Sequence, residues 1–301
     1  MRSRFATKLE IIVKGHILNP FWLSHLGRRR KRGDVSAKAI GAYLERYVPA
    51  FAALPLDEQC DAAEPEHIFS IWLQGEQAAP PVVQACWRSI RANCSQELVI
   101  LDADSIFDWV TLPQHVVDKW RSGKMRAAHF TDICRVELLY RHGGLWMDST
   151  DFVSNPLPQW LLDQDFFVFM SGDTQRGFYS FVQNCFIRGR KGCYLLKCWR
   201  EAMYAYWEKE DSTIDYFVHQ LLFKKVVERN PVASELFASM PKHVQDPTHA
   251  VWFGGADKPF DADAFAAMTS AALFQKTEYK SRNATSPVPG SYADVMMGMY
   301  R

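Results

Sequence analysis

Asp148 and Asp151 are the residues with the most chemistry in reach. They follow a short apolar run, Leu145 to Met147, that reads as a buried strand. A carboxylate at a strand end is carried on stiff structure, where it can bind a cation or trade a proton with a ligand. Side chains alternate along a strand, so Asp148 and Thr150 share one face while Ser149 and Asp151 share the other. Asp151 joins Asp148 only if the chain turns there. Upstream, Asp132 and Arg135 stand three apart on a helical pattern, a spacing that on its own describes a helix-surface ion pair. Asp215 and His219 stand four apart, which suits a capped pair, a metal-ligand pair or an acceptor site equally.

The elements that must position these groups are readable in outline. From Thr131 the residues Ile133, Val136 and Tyr140 form one helical stripe, and Gly143 and Gly144 end the helix because glycine accepts a left-handed cap. HIFSIWL from His67 reads as a strand, Pro80 and Pro81 open a helix that turns Val83, Cys86, Trp87 and Ile90 inward, and ELVIL from Glu97 reads as a second strand. Strand, helix, strand in that order predicts an α/β sheet with parallel neighbours. Short helices are expected at 105–110 and 113–121, strands at FFVFM and SFVQNCFI, and longer helices at 194–207 and 214–229. The tail, through FGGADKPF and LFQKTEYK, reads as loops that carry lysines.

Length and composition narrow the class. A chain of 301 residues buries about three quarters of its unfolded surface, enough for one large domain with an appendage. We divide it into a helical extension, residues 1–64, and a main domain, residues 65–301. A net charge of +1 gives no reason to expect nucleic acid as partner. Seven cysteines without a CxxC pair fit a reducing cytoplasm. The extension carries apolar residues at helical spacing (Phe5, Leu9, Ile12, Val13, Ile17), then Phe21 and Trp22, then the basic run Arg28 to Arg32. That combination fits docking on an anionic membrane surface and equally a core-packing helix before a solvated basic loop. A second helix, Ala37 to Leu54, is expected to pack on the main domain. No GxSxG, Walker or dinucleotide-binding pattern is present.

The stretch TDICRVELLYRHGGLWMDSTDF, together with IFSIWLQG near Ile68 and DYFVHQLLF near Asp215, resembles the nucleotide-sugar glycosyltransferases of the capsular polysaccharide synthesis family, relatives of glycosyltransferase family 32. The resemblance covers roughly Glu66 to Lys280. It implies a GT-A-like fold, a mixed and mostly parallel sheet flanked by helices. It also implies a metal-dependent, retaining glycosyltransferase, cytoplasmic or peripheral at the inner face of the membrane. The acceptor would be a bacterial surface glycan or lipid-linked oligosaccharide; a non-catalytic sugar-nucleotide-binding subunit and a sugar-phosphate transferase are the alternatives. By resemblance, Trp72 stacks on the nucleotide base, Asp132 and Arg135 hold the donor sugar and diphosphate, and Lys276 and Lys280 close over the diphosphate, with Lys258 as a second option. Asp148, Thr150 and Asp151 would hold Mn2+ or Mg2+, with Thr150 standing where the strict Asp-x-Asp form has its second acid. Asp148, Asp151 and Asp215 are the candidate catalytic carboxylates.

Overall fold

The computed structural model describes residues 40–47, 54, 67–172 and 181–301. Three strands set the frame: β1 (His67–Ile71), β2 (Glu97–Leu101) and β3 (Gly144–Met147). β1 pairs in parallel with both β2 and β3. Two more strands complete the sheet, β5 (Phe166–Met170) and β6 (Val182–Gly189), in the order β2-β1-β3-β6-β5. β6 is antiparallel to both of its neighbours, so four strands run one way and β6 alone opposes them. A second, two-stranded ribbon joins β4 (Asp151–Phe152) to β7 (Gln275–Lys276). This is the mixed, mostly parallel α/β architecture the sequence predicts.

The helices are α1 (Pro81–Asn93), α2 (Ile106–Trp109), α3 (Gln114–Arg121), α4 (Ala127–His142), α5 (Gln159–Leu162), α6 (Tyr194–Lys209), α7 (Val218–Arg229), α8 (Pro231–Ser239), α9 (Trp252–Gly255), α10 (Ala262–Ser270) and α11 (Tyr292–Gly298). α4 lies between the sheet and α6, touching β1, β3 and β6 on one side. The single apolar stripe expected of it is therefore too narrow: every residue from Asp132 to Leu139 is buried. Its charged side chains consequently need partners in the interior. Gly143 caps α4 at φ 71°, and Gly144 follows at φ 97°. A Cβ on Gly144 would stand 2.2 Å from the His67 carbonyl oxygen, so this glycine also lets β3 close against β1.

Two expectations change. Asp215 and His219 do not share a helix, because α7 begins at Val218. The Tyr206 hydroxyl donates to the Ser212 carbonyl (2.8 Å) and accepts from the Ile214 N–H (3.2 Å), holding the preceding segment as a turn. The tail is also more structured than a run of loops, since it supplies β7 and three helices. Residues 40–47 are helical and bury Ile40, Tyr43, Leu44 and Tyr47. Tyr43 and Tyr47 both donate to Glu210 at the end of α6, so this part of the expected second helix does pack on the main domain. The amphipathic segment with Phe21 and Trp22, the basic run Arg28 to Arg32, Cys60 and the junction near residue 64 lie outside the described residues. No described helix is long and apolar enough to cross a membrane.

Candidate functional site

β3 ends at Met147 and its pairing with β6 extends one step, the Asp148 N–H donating to the Cys185 carbonyl at 2.8 Å. The chain then turns, with the Asp151 N–H donating to the Asp148 carbonyl at 2.9 Å. This is the turn that lets Asp151 join Asp148. β4 runs from Asp151 into the ribbon, and the register sets Lys276 directly opposite Asp151. The Thr277 N–H donates to the Thr150 carbonyl at 2.8 Å, which fixes the turn to β7. The Lys276 ammonium then donates to both carboxylates, at 2.8 Å to Asp148 Oδ2 and 2.9 Å to Asp151 Oδ1.

Arg135 and Asp132 meet the same group from α4. Asp132 Oδ1 lies 3.1 Å from the Arg135 guanidinium, and Asp148 Oδ1 lies 3.4 Å from it. The guanidinium also donates to the Asn184 carbonyl and sits 4.7 Å from the centre of the Trp146 ring. The i,i+3 pair that spacing suggests is real, but it is interior rather than on a helix surface. Asn184 donates to Asp132 Oδ1 at 2.8 Å and accepts from Gln220 at 3.0 Å. Burial works to raise the Asp132 carboxyl, but Arg135 and the rings of His129 and His219 hold it well below the usual carboxylate range. Burial likewise works against Asp148, which Lys276 and Arg135 nonetheless keep ionised. Asp151 is fully buried, and burial, only partly opposed by Lys276, pushes its carboxyl up to about 7.

His129, Asp132 and His219 bring three potential ligand atoms within 4.8 Å of one another. The hydrogen bonds of His219 assign it another role. The indole N–H of Trp207 can only donate, and it lies 2.9 Å from His219 Nε2. That nitrogen is the acceptor, so the neutral ring carries its proton on Nδ1 and donates it to Asp132 Oδ2 at 3.1 Å. A protonated Nδ1 has no lone pair for a metal. Burial, despite Asp132, lowers the His219 pKa and favours this neutral ring. His219 thereby orients Asp132, and through it Arg135.

These groups open onto one cleft of about 510 Å3 at the carboxyl ends of β1 and β3. Of the sequence-predicted residues, Trp72, Asp132, Arg135, Asp148, Thr150 and Lys276 line it. Asp151 is sealed beneath, at 0% exposure, and reaches the cleft through its bonds to Lys276 and to the Asp148 N–H. Asp215 and Lys280 do not line it: Asp215 accepts the Phe217 N–H at 2.8 Å, and Lys280 is exposed, 5.5 Å from the Tyr279 ring. Lys258 is also elsewhere, donating to the Gly254 carbonyl at 2.8 Å. Sequence reasoning missed Asn184, Tyr216, Gln220 and Tyr279, all of which line the cleft. Asn184 had a signal, since it and Gln183 are amides in a mostly apolar strand run. Trp72 meets Tyr279 edge to face at 5.0 Å, and the buried Trp72 N–H and Gln220 carbonyl oxygen have no partner among the described residues. Buried polar atoms are rarely left unpaired, so these two fit a ligand that supplies the missing halves.

The expectation of Mn2+ or Mg2+ at Asp148, Thr150 and Asp151 meets a lysine in that place. Asp148 Oδ1 accepts from the Trp146 indole at 2.8 Å, and Asp151 Oδ2 from the Asp148 N–H at 3.2 Å. Lys276 takes the other two carboxylate oxygens. A divalent ion here would have to displace that ammonium or share the carboxylates with it as a like charge.

The chain matches the family model described as "Capsular polysaccharide synthesis protein" over residues 22–294. A solved structure titled "PaToxG Glycosyltransferase" is similar at 13% identity and a TM-score of 0.41, over 70% of this chain and 83% of that one. No curated protein matches the chain in sequence.

Proposed function

Because the chain belongs to the capsular polysaccharide synthesis protein family, we propose that it is a glycosyltransferase. It moves a sugar from a nucleotide-diphosphate donor to a surface-glycan or lipid-linked acceptor. The observation that carries this reading is the single cleft shared by Trp72, Arg135, Asp148 and Lys276. Each suits one part of such a donor. The Trp72 face takes the base, with Tyr279 edge-on beside it and the free indole N–H ready for a carbonyl or ribose oxygen. Arg135 and Lys276, which line the same cleft, take the diphosphate. Gln220, whose carbonyl oxygen has no partner among the described residues, offers an acceptor toward the sugar hydroxyls.

Chemistry then rests on position and charge. Breaking the anomeric bond leaves a nucleoside diphosphate whose new charge develops beside Lys276 and Arg135, both held by buried carboxylates and so unable to swing away. Donor and acceptor held in contact gain the advantage of an intramolecular reaction. Asp148, ionised and lining the cleft, is the carboxylate placed to touch a substrate; Asp151 holds Lys276 and is a positioning residue. Retention at the anomeric carbon, and docking of the basic N-terminal segment on the membrane carrying the acceptor, complete the proposal.

The test is release of nucleotide from a panel of nucleotide-sugar donors, with the product identified. Free nucleoside diphosphate, lost in Asp148→Asn, supports sugar transfer. Nucleoside monophosphate indicates transfer of a sugar phosphate, and donor binding without release indicates a binding subunit.

A further inference from the structure

We propose that the Lys276 ammonium is the resident cation of the two-carboxylate site and holds it against divalent metal, so that the nucleoside-diphosphate group is met by a side chain of the protein. The proposal deepens the glycosyltransferase reading in its consequence for turnover, but its geometric claim stands on the site alone. Lys276 lies on the ribbon strand directly opposite Asp151, so backbone pairing fixes where its side chain starts. Its nitrogen is 2.8 Å from one carboxylate and 2.9 Å from the other, the bridging position a metal ion would take.

Three further features agree. Asp151 is fully buried, so any charge it carries has to be balanced from inside the protein, and Lys276 is its ion-pair partner. Thr150 stands where a second acid would add an anionic ligand, and a hydroxyl is a poor substitute for it. Two carboxylates take two of the three N–H donors of the ammonium, which leaves the third for a phosphate oxygen. An entering dication would have to expel this ammonium from a pocket where only 15% of the side chain is exposed, or sit beside it as a like charge.

The experiment is a Mn2+ titration of the full chain, alone and with a saturating mixture of uridine and guanosine diphosphates, read by water-proton relaxation. Only the part of the binding that Asp148→Asn abolishes is scored. Wild type is expected to show none, with or without the nucleotides. Lys276→Ala, checked for folding by near-ultraviolet circular dichroism, is expected to gain one Asp148-dependent Mn2+. Asp148-dependent Mn2+ in the wild type overturns the proposal, and that result needs no folded Lys276 variant. A folded Lys276→Ala that gains no such site overturns it too, because lysine would then not be what excludes the metal. Donor turnover is not read, so these outcomes are independent of whether sugar transfer is the reaction.

Discussion

Removing the charge of Arg135 should destabilise the protein far more than loss of a surface arginine. Arg135 is 6% exposed, and its guanidinium has Asp132 at 3.1 Å, Asp148 at 3.4 Å and the Trp146 ring at 4.7 Å. Arg135→Met keeps most of the apolar stem but leaves Asp132 buried without its cation. Breaking a buried pair from one side costs about 3–5 kcal/mol, because the remaining charge is uncompensated. Asp132→Asn is milder, about 1–3 kcal/mol, since Arg135 keeps Asp148 and the Asn184 carbonyl. The double variant should fall short of the sum of the two by about 2–3 kcal/mol. Urea unfolding at neutral pH measures all three, with an unchanged slope showing that only stability moved. A loss below about 1 kcal/mol for Arg135→Met, or strict additivity in the double variant, refutes the view that α4 holds a tightly coupled interior pair.

Further outcomes follow from other parts of the fold. Gly144→Ala should cost about 2–6 kcal/mol, combining backbone strain at φ 97° with a Cβ forced onto the His67 carbonyl. Gly192→Ala, at φ 73° with nothing within 4 Å, should cost only the strain; soluble yield and thermal midpoint separate the two. His249 lines the cleft, and burial, despite the Gln245 carbonyl, pulls its pKa down to about 4 from 6.5. Between those values the unfolded chain binds the extra proton, so the stability His249 contributes above pH 6.5 is lost progressively toward pH 4, against an opposite contribution from Asp151, whose carboxyl is raised in the fold. His249→Gln should therefore lower the slope of stability against pH in urea midpoints taken across the range, and an unchanged slope would place the titrating group elsewhere.

How much of this is legible without coordinates depends on how local each cause is. β1, β2 and β3 follow from short apolar runs, and the end of α4 follows from Gly143 and Gly144, whose conformations no other residue adopts easily. The cleft residues Trp72, Asp132, Arg135 and Asp148 are legible as a motif, yet spacing alone puts the Asp132 and Arg135 pair on a surface. Only packing between the sheet and α6 makes it interior. The turn after Asp148 is not legible, because it is set by a ribbon strand more than a hundred residues away. The same distance hides which lysine matters. Lys276 pairs across from Asp151, whereas Lys280, four residues on, sits at the surface over Tyr279. Asp215 fails for a local reason, since the Tyr206 hydroxyl holds its segment as a turn and delays the helix to Val218.

The measurement that bears most directly on the donor cleft is calorimetric titration of uridine and guanosine diphosphates into the wild type and Trp72→Ala. The cleft account predicts one site for one of these nucleotides, weakened roughly 5- to 150-fold in the variant by loss of about 1–3 kcal/mol of base stacking. Binding of equal strength in both proteins, or no binding of either nucleotide to the wild type, would contradict it.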